Sequence, residues 1–339
     1  MGYLTGSFFL NTVFLTGGSG FVGSHTARLF LEKGWAVRAL LRRPGRPGLM
    51  PAGVEVVPAA LDCPDSYRDA LGGCDAVVHV AGVVKARTLT EYRQANVVGT
   101  RLLTEAASAV CPQAMFVHVS SQAAAGPALA GKPVCEHDRP HPVSWYGRSK
   151  LEGEQALTAC YRGPWCIVRP SVVYGPGDPG LLQMFSVVAK GIAPILAGGR
   201  QRVQVLAADD LARILLALAC RPDLAGRRFF AAGATVTTGQ LTREVGCLRT
   251  PPARPVPVPG WLLWLAGMVE SVRETVTGQT LPFNRDKARE MLQPDWTCDG
   301  QPLLRELQIT DLEPWQQGLA RTCRWYVANG WLPGCFAGV

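Results

Sequence analysis

The 339 residues carry 34 Lys and Arg against 26 Asp and Glu, a formal net charge of +8, with 47% hydrophobic and 18% charged residues. That balance fills a sizeable core and excludes a disordered chain; the length suits one large domain or two intimate ones. The positive charge is scattered, with no long basic run or recognition motif, which argues against a nucleic-acid partner.

Tyr3 to Leu10 is apolar, but no Lys or Arg precedes Arg28, so the basic region of a signal peptide is missing. Val13 to Thr16 predicts a short strand running straight into glycines. Phe21 to Lys33 has helical spacing and ends at Gly34. Trp35 to Leu41 and Val54 to Val57 read as strands, Asp65 to Leu71 as a helix, and Ala76 to Val80 as a buried strand. Asn96 to Val110 reads as a helix, Ala114 to Ser120 as a strand and Ser144 to Tyr161 as a long helix, with a further strand starting at Cys166. This alternation predicts a parallel sheet covered on both faces. After Tyr174 the texture changes to loops, short helices and proline-rich pieces. Pro251 to Pro259 reads as an extended connector, Asp209 to Cys220 as a helix returning to the first lobe, and six of the nine Trp lie from Trp261 onward.

Gly18-Ser19-Gly20-Phe21-Val22-Gly23 fits Gly-x-Gly-x-x-Gly between a strand and a helix, the context in which such a loop holds a dinucleotide. Glycines permit the tight turn and the close backbone approach to pyrophosphate, and the helix N-terminus offers free N–H groups. An acidic residue after the second strand would bond the adenosine ribose; here the chain has Arg42 and Arg43, which suit a 2′-phosphate. NADP(H) is therefore favoured, with NAD(H) as the alternative. Tyr146 and Lys150, four apart, share one helix face. A free phenol titrates near ~10, and a neighbouring ammonium is expected to lower it toward a usable acid/base.

These pieces, in this order, resemble the extended short-chain dehydrogenase/reductase family within the epimerase/dehydratase superfamily, from about Thr12 through Asp210 and more weakly to Leu332. Thr16 to Gly23 is similar to its nucleotide loop, His79-Val80-Ala81-Gly82 to its cofactor-lining strand end, and Asn96 to Thr100 to its next helix start, where Asn96 reads equally well as a helix cap. Ser120-Ser121 and Tyr146-x-x-x-Lys150 are similar to its catalytic elements, and Arg169-Pro170 with Val173 to Pro176 to the edge of its nicotinamide pocket. The resemblance implies a Rossmann-type α/β fold, a doubly wound parallel sheet with a smaller C-terminal substrate-binding lobe. The boundaries expected are 10–175 for the nucleotide domain, with a returning segment at about 203–233, and 176–202 with 234–335 for the second lobe. The catalytic set implied is Ser121, Tyr146 and Lys150, with Ser121 preferred over Ser120. The cofactor set expected is Gly17, Gly20, Phe21, Val22, Gly23, Arg42, Arg43, Leu61, Asp62, Val80, Ala81, Gly82, Pro170 and Val173, together with Tyr146 and Lys150.

Two departures stand out. The family's Gly-Asp-Leu after the third strand corresponds to Ala59-Ala60-Leu61, with Asp62 displaced. Gln122-Ala123 follows Ser121 where sugar-nucleotide dehydratases carry acids, which disfavours dehydration. The expected function is alcohol/ketone or aldehyde oxidoreduction on a small-to-medium apolar substrate, within walls that a Trp-rich lobe can supply. The tail from Trp315 to Leu332 resembles dihydroflavonol-reductase-like and 3β-hydroxysteroid-dehydrogenase-like members. A nucleotide-sugar epimerase with tightly held NAD is the alternative, and a non-catalytic binding protein a third reading. The His residues have no metal-ligand spacing, so no metal is expected. Eleven Cys without a Cys-x-x-Cys pair read as reduced thiols. No apolar run is long enough to span a bilayer. A cytoplasmic location is expected, and the resemblance admits a homodimer, although no decisive patch marks one; Trp261 to Val272 could cover the pocket or meet a membrane surface.

Overall fold

The computed structural model describes residues 11–336 apart from positions 44, 47, 130, 263, 266, 267, 269 and 271–284. In chain order the first elements are β1 (Thr12–Thr16), α1 (Phe21–Glu32), β2 (Ala36–Leu40), β3 (Glu55–Val57), β4 (Ala76–His79), α2 (Leu89–Arg93), α3 (Gly99–Val110) and β5 (Met115–Val119). Then come α4 (Gln122–Ala125), α5 (Trp145–Cys160), β6 (Trp165–Pro170), β7 (Val172–Tyr174), α6 (Pro179–Val188), β8 (Ile192–Leu196), β9 (Arg202–Ala207), α7 (Ala208–Ala219) and β10 (Arg227–Ala231). The remainder holds β11 (Ala234–Thr237), α8 (Thr238–Cys247), β12 (Arg254–Val258), α9 (Arg285–Met291), β13 (Asp295–Trp296), α10 (Gln301–Glu306) and α11 (Trp315–Ala328).

Seven strands form one all-parallel sheet in the order β10-β6-β5-β4-β1-β2-β3. Its strands bury side chains on both faces, as the unbroken apolar runs require. Val13, Leu15, Val78 and Val117 pack with Phe30 of α1 and with Leu211 and Leu215 of α7. Phe14, Val77, Phe116 and Ile167 point the other way, onto Leu103 of α3 and Leu157 of α5. The chain winds outward in opposite directions from β1 and β4. Their carboxyl ends therefore open a crevice, the place where such sheets take ligands.

β9 is the centre of a second sheet, with β11 antiparallel on one side and β7 and β13 parallel to it on the other. Phe185, Tyr326, Leu319 and Phe336 form the core beneath it. The return to the first sheet thus starts with α7 and is completed by β10, while residues 202–207 pair within the second sheet. Leu303 and Leu304 of α10 join the first core as well.

Two sequence expectations need correction. Asp65 to Leu71 is not one helix but two short 3₁₀ turns, Pro64–Ser66 and Asp69–Leu71. Tyr67 is buried between the two turns, and the Arg38 guanidinium binds the Ala70 and Gly72 carbonyls where the second turn ends, at 3.1 and 2.8 Å. The proline-rich connector contains a real strand, since β12 pairs in parallel with β8 from Arg254↔Ile192 to Val258↔Leu196. Pro255 and Pro257 alternate with residues that keep an N–H, so the ladder on that side survives. The stretch from Trp261 to Val272 lies only partly within the described residues.

Behind the crevice, Arg169 of β6 and Glu154 of α5 make a buried two-point ion pair, at 2.9 and 2.7 Å. Ser120 adds a hydroxyl to the same carboxylate at 2.5 Å. Removing one member strands the other charge in the core. Glu154→Gln should therefore cost about 3–5 kcal/mol in urea unfolding, and a loss below about 1 kcal/mol would show that the pair is hydrated.

Candidate active site

The loop after β1 has the shape of an anion cradle. Gly17 has φ +76°, and a Cβ there would lie 2.8 Å from the Ala81 nitrogen, so only glycine fits between the two strand ends. A Cβ on Gly23 would meet the Gly17 carbonyl oxygen at 2.0 Å, which fixes how closely α1 seats on the loop. Gly20 caps α1 without any side-chain bond, leaving the N–H groups of Phe21, Val22 and Gly23 for a ligand. Val80, Ala81 and Gly82 leave β4 alongside. Pro170 ends β6 opposite Ala231, and Val173 pairs with Leu206 in the second sheet. The chain between them crosses from one sheet to the other, and Gly175 reaches the Phe21 ring.

Arg42 and Arg43, just past β2, are exposed, and their guanidinium groups have no hydrogen bond or ion pair among the described residues. Arg38, by contrast, is spent on Glu55 and the carbonyls named above. Leu61 packs toward Gly99 and Asp62 is exposed. Among the described residues, no group of three His, Cys, Asp or Glu side chains could hold a metal.

A buried hydrogen-bond chain ties the crevice together, and its protons can be assigned. Thr100 Oγ1 donates to the Asn96 carbonyl at 2.8 Å, so it must accept from His79 Nε2 at 2.9 Å. His79 Nδ1 then accepts from Thr16 Oγ1 at 2.7 Å, and Thr16 Oγ1 accepts the Ala81 N–H at 3.1 Å. Burial followed by the nearby Lys150 lowers the His79 pKa to about 3, consistent with this neutral tautomer. Asn96 is not a helix cap. It sits inside a π-turn, Gln94–Val98, between α2 and α3. Its side chain accepts the Val83 N–H at 2.7 Å and donates to the Val83 carbonyl and to Ser149 Oγ, at 3.0 and 2.9 Å.

α5 brings Tyr146 and Lys150 to the same place. Gly147 and Gly153 let it come close: Cβ atoms there would lie 2.2 Å from the Ala123 carbonyl oxygen and 2.5 Å from that of Asn96. The first approach sets Tyr146 beside Ser121, whose hydroxyl bonds the phenol, while Ser120 faces Glu154. The second sets Lys150 against the strand ends, where its Nζ donates to the Val119 carbonyl at 2.7 Å. The two helix glycines are the signal that sequence reading passed over, since glycine inside a helix costs stability and is usually there for packing.

The expected lowering of the phenol is not what the structure gives. Burial pushes Tyr146 up to about 12, against the Ser121 hydrogen bond and with help from Glu290. The Lys150 ammonium bonds the Val119 carbonyl, and its own burial, opposed by Glu154, brings it down to about 8. Tyr146 is therefore protonated at neutral pH.

A dinucleotide cradle at the switch point of a parallel sheet, next to a Ser–Tyr–Lys cluster, defines the site of a nicotinamide-dependent oxidoreductase. The sequence profile of the NAD dependent epimerase/dehydratase family matches residues 13–232, and the chain belongs to that family. It is 33% identical to a ceramide reductase of Caulobacter vibrioides, over 95% of this chain and 96% of the relative. It is 28% identical to a UDP-glucose 4-epimerase of Vibrio cholerae, over 83% and 89% of the two chains. The solved structure of MoeE5 in complex with UDP-glucose and NAD shares the fold, with a TM-score of 0.75 at 22% identity over 94% of this chain and 99% of the other. Among the described residues, no helix is long and apolar enough to cross a membrane.

His118, beside His79 on the next strand, is buried with both ring nitrogens unpartnered, and burial holds it neutral, well below its ordinary pKa of 6.5. Unfolded histidines take up protons as pH drops through about 6.5, while these two stay neutral when folded, so stability present above that pH is lost below it. By pH 5 His79 alone accounts for about 2 kcal/mol of loss. Urea unfolding at pH 7.5 and 5.0 should show that His118→Phe, which breaks no hydrogen bond, is at least as stable as the parent at pH 7.5 and loses less at pH 5.0. An equal loss would mean that His118 is not buried neutral.

Proposed function

We propose that the protein is an NADP(H)-dependent oxidoreductase interconverting a ketone or aldehyde and an alcohol on an apolar substrate, with Tyr146 as acid/base. The observation carrying this reading is the convergence of Ser121, Tyr146 and Lys150 at the end of β5, beside the glycine cradle. Gly17, Gly20, Phe21, Val22 and Gly23 would hold the pyrophosphate, and Val80, Ala81, Gly82, Pro170 and Val173 would line the nicotinamide. Leu61 and Asp62 would border the adenine. When bound, the nicotinamide supplies or accepts the hydride.

In the reducing direction the carbonyl oxygen accepts hydrogen bonds from Ser121 and Tyr146, and Tyr146 gives up its proton as charge develops on that oxygen. A protonated phenol suits this role. Lys150, still largely an ammonium at neutral pH, stabilises the phenolate left behind. In oxidation the same groups act in reverse. Arg42 and Arg43, with no ion pair to break, are available for a 2′-phosphate and support NADP(H) over NAD(H). The ceramide reductase spans nearly the whole of this chain, which supports reduction of a carbonyl on an apolar, lipid-like molecule. We place the activity in the cytoplasm.

The similarity to a UDP-glucose 4-epimerase favours a second reading, in which the same side chains serve an epimerase that retains NAD. Such a protein would be purified with NAD and would not consume added NADPH. Under the leading reading, Tyr146→Phe should reduce kcat by about 10³-fold with NADPH affinity kept within about threefold. Full activity in that variant would remove Tyr146 from the chemistry. Arg42→Ala with Arg43→Ala should raise the Kd for NADPH at least about tenfold and leave that for NADH unchanged. Equal effects on both cofactors would remove the case for a 2′-phosphate site.

A further inference from the structure

The N-terminus of α5, which carries Tyr146, is held by side chains more than a hundred residues away. Asp286 of α9 accepts the Trp145 N–H with both carboxylate oxygens at 3.0 Å. One turn further along α9, Glu290 Oε1 accepts from Ser144 Oγ at 2.5 Å. Ser144 Oγ in turn accepts the Gly147 N–H at 3.0 Å. Both carboxylates are buried, at 9% and 7% exposure, so neither is a solvated surface charge that happens to lie nearby. Asp286 thus takes the Trp145 N–H directly and Glu290 holds the Ser144 hydroxyl that caps the Gly147 N–H, at a helix end where negative charge is favourable.

We propose that Asp286 and Glu290 are positioning residues that hold the first turn of α5 and set the electrostatic surroundings of Tyr146. The proposal rests on Tyr146 being the acid/base group. Ser144 alone would cap the helix, as serine does at most helix starts. A serine cap does not require a buried glutamate behind it, and it leaves the Trp145 N–H unbonded. The added acids place negative charge next to a phenol whose ionisation would add another. Like charge disfavours the phenolate, so Glu290 adds to the burial that keeps the phenol protonated, and Asp286 is placed to act in the same sense.

The groups facing Tyr146 can be named element by element. Ser121 bonds the phenol, and the Tyr92 ring of α2 lies 6.2 Å away between centroids. Lys150 lies one turn along α5. From α9 come Asp286, Glu290, Lys287, whose Nζ bonds Glu290 Oε2 at 2.7 Å, and Arg289, whose charge acts on Asp286. Lys287 offsets part of the Glu290 charge. Asp286 has its carboxyl raised by burial, against the backbone N–H groups at the start of α5 and with a contribution from Glu290. A consequence is that the second lobe completes the first turn of α5: α9 must be docked for that turn, and with it Tyr146, to be held.

The test reads the phenol directly. Protein labelled at tyrosine Cζ is titrated by carbon NMR, with Tyr146→Phe identifying the resonance. Asp286→Asn keeps an acceptor for the helix N–H groups and removes the charge; Glu290→Gln does the same for Ser144. Each should move the Tyr146 titration to lower pH by about half a unit or more, with the alkaline limb of kcat in ketone reduction moving equally. Asp286→Ala, which also removes the acceptor, should lower kcat about tenfold while KM stays within about twofold. An unmoved Tyr146 resonance in both charge-removing variants, with only a lower urea midpoint, would overturn the proposal and leave a plain structural cap. If Glu290→Gln does not fold, Asp286→Asn decides alone, since asparagine is itself a good helix cap. Retained activity in Tyr146→Phe would overturn the acid/base reading instead, a result distinguishable because the NMR titration needs no turnover.

Discussion

The site depends on a buried hydrogen-bond chain running from the Asn96 carbonyl through Thr100, His79 and Thr16 to the Ala81 N–H. It joins the π-turn before α3 to the ends of β4 and β1, the three segments that flank the crevice. Every donor in it has one acceptor, so a charged imidazole would have two donors and lose the Thr16 bond. That constraint keeps His79 neutral and fixes the spacing between the glycine loop and the strand-end segment opposite. Asn96 extends the same network to Ser149 of α5. The nucleotide cradle and the helix bearing Tyr146 and Lys150 are thereby referred to a common frame.

Electrostatics at the site reflect burial more than charge pairing. Lys150 and Tyr146 are both shifted toward their neutral forms, one down to about 8 and the other up to about 12. A phenol in this state is protonated at neutral pH, the form that reduction needs at the outset, whereas oxidation must first ionise it. The Glu154–Arg169 pair lies directly behind, with Glu154 acting on Lys150 through space while its oxygens are occupied by Arg169 and Ser120. Asp286 and Glu290 supply negative charge at the front. Glu290 thus acts on the phenol and Glu154 on the ammonium of the same helix.

Much of this was legible in the chain because it rests on local rules. Gly17 and Gly23 announce a loop that tolerates no side chain, and Tyr146 and Lys150 are on one helix face by spacing alone. The parallel sheet followed from apolar runs of strand length between helical patterns. What escaped was long-range. The 3₁₀ turns at 64–71 end at the Ala70 and Gly72 carbonyls, which are bound by Arg38 of β2, a partner no local pattern announces. The strand at Arg254–Val258 exists because β8 lies beside it. Asn96 reads as a cap until the helix preceding it is seen. The direction of the Tyr146 shift was misjudged since spacing shows the ammonium nearby but not the burial that outweighs it. The capping acids on α9 have no sequence signature, lying about 140 residues from the helix they close.

The central claim is that hydride leaves the nicotinamide for a substrate carbonyl and does not return. Reduction of an apolar ketone with NADPH deuterated at the transferable position of C4 tests it most directly. The account predicts one NADP⁺ formed per alcohol, with the deuterium on the new carbinol carbon. Interconversion of a sugar nucleotide with no consumption of NADPH, and no label in the product, would contradict it.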